Sequence, residues 1–198
     1  TIFTASSESF RLPSKKVIIT GHGIDTGLFQ PSEKLKIKSE ELKILSVGRI
    51  APVKNYEVLI DAAKILANKG VNFGVTLVGE PAIDSDVRYL SSLKLKVKSL
   101  KLEGSVEFVG WQNDLASFYK TANAFIQTSF FEGYGLSLVE AGLCGLPIIT
   151  TPVGIATELE HGKDAYIYPV GNPELFAQGI IDLIENNEKR GNLRLNIS

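Results

Sequence analysis

The stretch Ser129-Phe130-Phe131-Glu132-Gly133-Tyr134-Gly135-Leu136-Ser137-Leu138-Val139-Glu140 decides how the rest of the chain is read. The apolar run Asn123 to Thr128 leads into it and has the composition of a buried strand. Gly133 and Gly135 bracket Tyr134, and a helical pattern begins at about Leu136. Strand, glycine loop and helix in that order aim free backbone N–H groups and the positive end of a helix dipole at an anion. Glu132 stands before the loop and Glu140 inside the helix. The loop suits a phosphate and the carboxylates suit sugar hydroxyls. A nucleotide sugar carries both.

Outward from this stretch, apolar periods alternate between strand and helix. Strands are expected at Leu42 to Val47, Phe73 to Val78, Val106 to Val109, Ala124 to Thr128, Pro147 to Thr150 and Ala165 to Pro169. Helices are expected at Tyr56 to Lys69, with Gly70 as its stop, at Leu115 to Ala122 behind Asn113 or Asp114, and at Pro173 to Glu185 behind Asn172. Asp84 to Leu102 reads two ways: Lys94 to Lys98 alternates like a strand, whereas Leu90, Leu93, Val97 and Leu100 keep helical spacing. Its length decides for a helix, whose lysines and Arg88 then form a solvated face. Six short apolar strands alternating with five or six helices predict an α/β fold: a Rossmann-like, doubly wound parallel sheet of about six strands. Thr1 to Ser6 and Lys16 to Thr20 add two further strands, and the charged stretch Ser32 to Glu41 reads as a linker. Residues 1–31 are thereby set apart as one unit, and residues 32–198 form the main domain.

The totals exclude several classes. Twenty-one Lys and Arg against 22 Asp and Glu leave a net charge of −1, which gives no reason to expect nucleic acid as a partner. One cysteine, Cys144, sits in an apolar helix context and reads as a buried, inert thiol, consistent with the cytoplasm. His22 and His161, with no close ligand spacing around them, do not make a metal site. The chain contains no Met and opens on Thr1, as a piece of something longer would.

In a doubly wound sheet, ligands bind at the carboxyl ends of the strands. The loops there are Gly48 to Asn55, Gly79 to Ala82, Gly110 to Asn113, Phe130 to Leu136 and Thr151 to Thr157. Gly48-Arg49 and Lys54 bring two cations to a helix start, which suits a diphosphate; the bland alternative is a weakly paired surface couple. Gly110 and Trp111 either flank a nucleobase or belong to the core. Gly133-Tyr134-Gly135 invites the dinucleotide fingerprint, but Leu138 holds the place of its third glycine, so a dehydrogenase is disfavoured. The backbone near Gly135 and Leu136 keeps its phosphate-binding capacity. Glu140 reads either as a ligand for hydroxyls or as a carboxylate stabilised by the helix dipole.

Glu132 and Glu140, with seven residues between them, are followed by Ala141-Gly142-Leu143-Cys144-Gly145-Leu146-Pro147-Ile148-Ile149. Together these resemble the E-x7-E signature of the retaining GT-B glycosyltransferases of group 1 (family 4). Gly23-Ile24-Asp25 and Phe29-Gln30-Pro31 resemble the stretch that in this family follows the N-terminal domain, with His22 where Asn is usual. The resemblance implies the C-terminal, donor-binding half of a GT-B fold. It implies that Arg49 and Lys54 contact the diphosphate of a UDP-, GDP- or ADP-sugar, that Glu140 holds the ribose, and that Glu132 meets the donor sugar. It further implies transfer to an acceptor hydroxyl with retention and without a metal. The acceptor, a glycan, a lipid-linked or a small molecule, would be bound by an N-terminal domain not in this chain, and the whole enzyme would sit in the cytoplasm, free or at the membrane's inner face. A non-catalytic nucleotide-sugar-binding module and a nucleotide-sugar epimerase of GT-B shape are the alternative readings.

Overall fold

The computed structural model of the chain describes residues 1–5, 9–10, 12–31 and 41–186. Two short strands, β1 (Ile2–Thr4) and β2 (Val17–Ile19), pair in parallel as a separate small sheet. The main sheet is built from β3 (Leu42–Val47), β4 (Phe73–Val78), β5 (Val106–Gly110), β6 (Ala124–Gln127), β7 (Ile148–Thr150) and β8 (Tyr166–Ile167). All six run parallel, in the order β5-β4-β3-β6-β7-β8. The winding therefore reverses between β3 and β6, and a crevice opens beyond the carboxyl ends of those two strands.

Helices α1 (Tyr56–Asn68), α2 (Asp84–Ser99), α3 (Leu115–Thr121), α4 (Leu136–Leu143) and α5 (Pro173–Glu185) cover the two faces. On one face Ile44, Leu77, Ile126 and Ile149 pack with residues of α1, α2 and α5. On the other, Leu45, Val78, Phe125 and Ile148 pack with Tyr119 of α3 and with Leu138 and Ala141 of α4. The alternation along β6 is complete: all four of its residues are buried, Ala124 and Ile126 to one side, Phe125 to the other. Each such large side chain contributes about 1.5–3 kcal/mol by leaving water. This double coverage is why the strands read as continuous apolar runs.

The α/β expectation and the six-stranded parallel sheet hold. The strands Leu42–Val47 and Phe73–Val78 and the helix Pro173–Glu185 fall at the expected bounds, and Asp114 and Asn172 cap α3 and α5 by accepting from Ser117 N and Leu175 N. Most other bounds in the main sheet and its helices differ by a single residue, and two elements there are three residues shorter than expected. Helix α2 stops at Ser99 because Lys101 takes a left-handed φ of 58°, which closes the helix and lets Leu102 N reach Val97 O. Strand β8 keeps only Tyr166–Ile167 of the expected Ala165 to Pro169. On α2, Arg88, Lys94 and Lys98 are exposed, as a solvated face requires, while Lys96 pairs with Asp61. The expected linker at Ser32 to Glu41 lies, but for Glu41, outside the described residues.

Candidate active site

The loops after β3 and β6 meet across the crevice. After β3 the chain runs through Gly48 and Arg49 into a 3-10 turn, Pro52–Lys54, and then into α1. Asn55 joins turn to helix with a φ of 51°, a conformation that asparagine tolerates better than most residues. The turn is stitched to the β6 loop by two bonds, Phe130 N to Val53 O at 2.8 Å and Thr128 Oγ1 to Lys54 O at 3.0 Å.

That docking brings Lys54 onto Glu132. The ammonium donates to Glu132 Oε1 at 2.7 Å, and the Ser129 hydroxyl donates to the same oxygen at 2.6 Å. The two charged side chains are only 17% and 11% exposed, so the pair is far from the loosely solvated surface couple that was the bland alternative. Ser129 is itself buried and fixed through its carbonyl, which accepts from Thr151 Oγ1 at 2.7 Å. Arg49 stays at the crevice with a different partner: its Nε lies 3.7 Å from the buried Asp86, whose carboxylate also accepts from Ala82 N. Asp86 thereby ties the loop after β3 to the loop after β4.

Gly135 supplies the turn into α4, with φ 98°, as its N-cap residue. The N–H groups of Gly135, Leu136 and Ser137 donate to no described residue, as the first turn of a helix leaves them. Gly154, after β7, packs directly under this loop. A Cβ there would meet Tyr134 O and come within 2.9 Å of Glu132 Cβ, and Ile155 N donates to Tyr134 O at 2.7 Å. His22 closes on the same loop from the first unit, its ring 5.0 Å from that of Tyr134.

Glu140 lies beyond the first turn of α4, so the helix-dipole reading gives way to a specific partner. Tyr119 of α3 donates to Glu140 Oε2 at 2.8 Å, with Ser137 O at 3.2 Å. Burial pushes the Glu140 carboxyl above the ordinary range, and the Tyr119 bond opposes that shift.

Trp111 is 61% exposed, which removes the core reading. It and Gln112 line a cavity of about 320 Å³ together with Gly48, Arg49, Gly79 and Glu80. The walls come from the loops after β3, β4 and β5, so this cavity continues the crevice. A larger hollow of about 540 Å³ lies at the amino-terminal end of the sheet, between Lys43, Gly74, Glu103 and Thr121, away from the loops that follow the strands' carboxyl ends. His161 holds Ile167 through its Nδ1 and sets its ring tilted against Tyr166 and edge-on to Tyr168, a local structural role. Cys144 is buried, and burial raises its thiol's pKa. Among the described residues, no three His, Cys, Asp or Glu side chains gather in a way that could hold a metal ion. No helix among them is long and apolar enough to cross a membrane.

Sequence reasoning missed Tyr119, Ser129 and Asp86 as partners of the site. Ser129 opened the decisive stretch without acquiring a role, and Tyr119 looks in sequence like any core aromatic.

A winding reversal with a glycine loop, two carboxylates and two cations at its crevice defines an α/β domain of the doubly wound class, with its candidate site at the switch point. The chain matches the family model for glycosyl transferases group 1 over residues 30–197, and it belongs to that family. It is 30% identical over 179 residues to a probable sucrose-phosphate synthase of Thermosipho melanesiensis, covering 88% of this chain and 41% of that protein. It is 29% identical over 170 residues to mannosylfructose-phosphate synthase of Agrobacterium fabrum, covering 80% and 37%. The crystal structure of Anabaena HepE in complex with UDP and glucose superposes with a TM-score of 0.81 at 25% identity, over 91% of this chain and 50% of that one. The chain thus spans half or less of the length of these relatives, and its fold is that of the C-terminal half of a GT-B glycosyltransferase.

Proposed function

We propose that this chain is the donor-binding domain of a retaining, metal-independent hexosyltransferase that moves a sugar from a nucleoside diphosphate to an acceptor hydroxyl. Residues 1–31 are then the end of the preceding domain and its connection, and residues 32–198 the donor domain. The acceptor, a glycan, lipid-linked or small molecule, belongs to the other half, and the chain alone binds donor without turning over. A cytoplasmic enzyme, free or resting on the inner membrane face, fits this reading.

The observation that carries it is the meeting of Lys54 with Glu132 across the crevice, beside the cavity that Trp111 and Gly48 line. The nucleobase and ribose occupy that cavity, with Glu140 accepting from ribose hydroxyls. The diphosphate lies over the free N–H groups at the start of α4, between Arg49 and Lys54. As the glycosidic bond breaks, negative charge collects on the leaving diphosphate, and these cations and N–H groups stabilise it. That is a task a divalent cation would otherwise perform. Glu132 accepts from a hydroxyl of the donor sugar and holds its reacting carbon against the acceptor. The acceptor oxygen attacks from the face the diphosphate leaves, and its proton passes to a diphosphate oxygen.

The test is an assay of the intact protein with UDP-, GDP- and ADP-hexoses, following nucleoside diphosphate release with and without candidate acceptor sugars. Acceptor-dependent release, lost in Glu132→Ala, supports transfer. Release of free sugar or an isomer without any acceptor would point instead to an epimerase of the same shape, and binding without any release to a binding module.

A further inference from the structure

Each of the two glutamates has one oxygen held by the protein and one left over. Glu132 Oε1 accepts from Lys54 at 2.7 Å and from Ser129 at 2.6 Å. Glu140 Oε2 accepts from Tyr119 at 2.8 Å. Glu132 Oε2 and Glu140 Oε1 accept from no described residue. Both supporting hydroxyls are buried, Ser129 on the β6 loop and Tyr119 on α3. Their own surroundings restrain them: Thr151 bonds the Ser129 carbonyl, and the Tyr119 ring packs edge-on to Phe29 at 5.7 Å. A carboxylate gripped at one oxygen can rotate little and offers the other at a defined place.

We propose that Ser129 and Tyr119 are positioning residues serving opposite ends of the ligand: Ser129 orients Glu132 toward the sugar, and Tyr119 orients Glu140 toward the nucleotide. This rests on the functional reading above and deepens it. Lys54 has a second task, because the diphosphate competes with Glu132 for its ammonium. When Lys54 turns partly to the phosphate, the Ser129 hydroxyl is the bond that keeps Glu132 in place. With one oxygen engaged, Glu132 reads a single hydroxyl rather than clasping a diol through both oxygens.

The two supports are separable by experiment, using the intact protein with UDP and UDP-glucose as probes, ligands on which related structures were solved. Tyr119→Phe keeps the ring and removes one hydroxyl, so it weakens UDP and UDP-glucose by the same factor, about 3–10-fold. Its affinity also declines at a higher pH on the acid side, because the bond that lowers the Glu140 pKa is gone. Ser129→Ala leaves UDP binding unchanged, weakens UDP-glucose by about 3–10-fold and lowers kcat, and Ser129→Thr restores both. Equal losses for both ligands in both variants, or no loss in either, overturn the assignment. Glu132→Ala and Glu140→Ala separate the positioning roles from the site itself. If these matter while the hydroxyl variants do not, only the positioning roles fail. If neither glutamate matters, the site reading fails and the positioning roles go with it.

Discussion

Lys54 Nζ and Glu132 Oε1 lie 2.7 Å apart although their positions differ by 78 in the chain, and their bond spans the point where the sheet reverses its winding. It places the strongest electrostatic contact of the crevice where leaving-group charge and sugar would meet. Lys54→Ala leaves Glu132 mostly buried with Ser129 as its remaining partner. The variant is expected to lose about 1–3 kcal/mol of stability by denaturant unfolding and about 10²–10³ in kcat. The double variant Lys54→Ala with Glu132→Ala should cost much less stability than the two singles summed, because the first removal strips the second of its partner. Additive losses would show that the pair does not act as a unit.

Gly154 is expected to tolerate no side chain. Its φ of +58° strains any L-residue, and a Cβ would strike Tyr134 O and the Glu132 side chain. Gly154→Ala should therefore lower stability by about 1–3 kcal/mol and displace the loop that carries Glu132. Thermal melting and UDP-glucose titration check both effects. A variant that melts like the parent and binds donor normally would show that the loop does not rest on Gly154.

Trp111 separates binding from folding. Its ring is largely exposed, so Trp111→Ala should change stability by no more than about 0.5 kcal/mol. Lost ring contact with a base in the adjoining cavity should raise the Kd for nucleoside diphosphate about 3–10-fold. Unchanged affinity would place the base elsewhere.

Glu140 gives the pH dependence. Burial raises its carboxyl pKa, so protonation sets in above the ordinary carboxylate range and removes a hydroxyl acceptor as pH falls. Nucleotide affinity is expected to decline on the acid side at a higher pH than an unperturbed glutamate would give, and Glu140→Gln should abolish that limb. Stability runs the other way. The folded state binds more protons than the unfolded state between the two pKa values, so this group's contribution falls as pH rises through that window. Glu140→Gln should consequently melt no lower than the parent at neutral pH while losing nucleotide affinity.

Much of this domain was legible because buried parallel strands are short, apolar and bounded by glycine. Leu42–Val47 and Phe73–Val78 end at Gly48 and Gly79, where the chain must turn sharply. The site's loops followed from the rule that ligands meet strand carboxyl ends, and Glu132, Glu140, Arg49 and Lys54 lie on or beside those loops. Their partners were not legible. Tyr119 reaches Glu140 only because α3, over β3, and α4, over β6 and β7, cover the same face of the sheet, and that packing has no signature in a local window. Asp86 sits in a segment whose apolar spacing explains the helix and says nothing of Arg49. Trp111 was ambiguous since an aromatic after a strand suits a core as well as a cavity wall, and only its exposure decides.

Whether the crevice between β3 and β6 holds a nucleotide sugar is decided by calorimetric titration with UDP, GDP and ADP, each with and without a hexose. One nucleoside diphosphate is expected to bind best, its sugar to add affinity through Glu132, and Arg49→Ala and Glu140→Ala each to weaken binding about 10-fold or more. Tight binding unaffected by either substitution, or no binding of any of the six ligands to the intact protein, would contradict that reading.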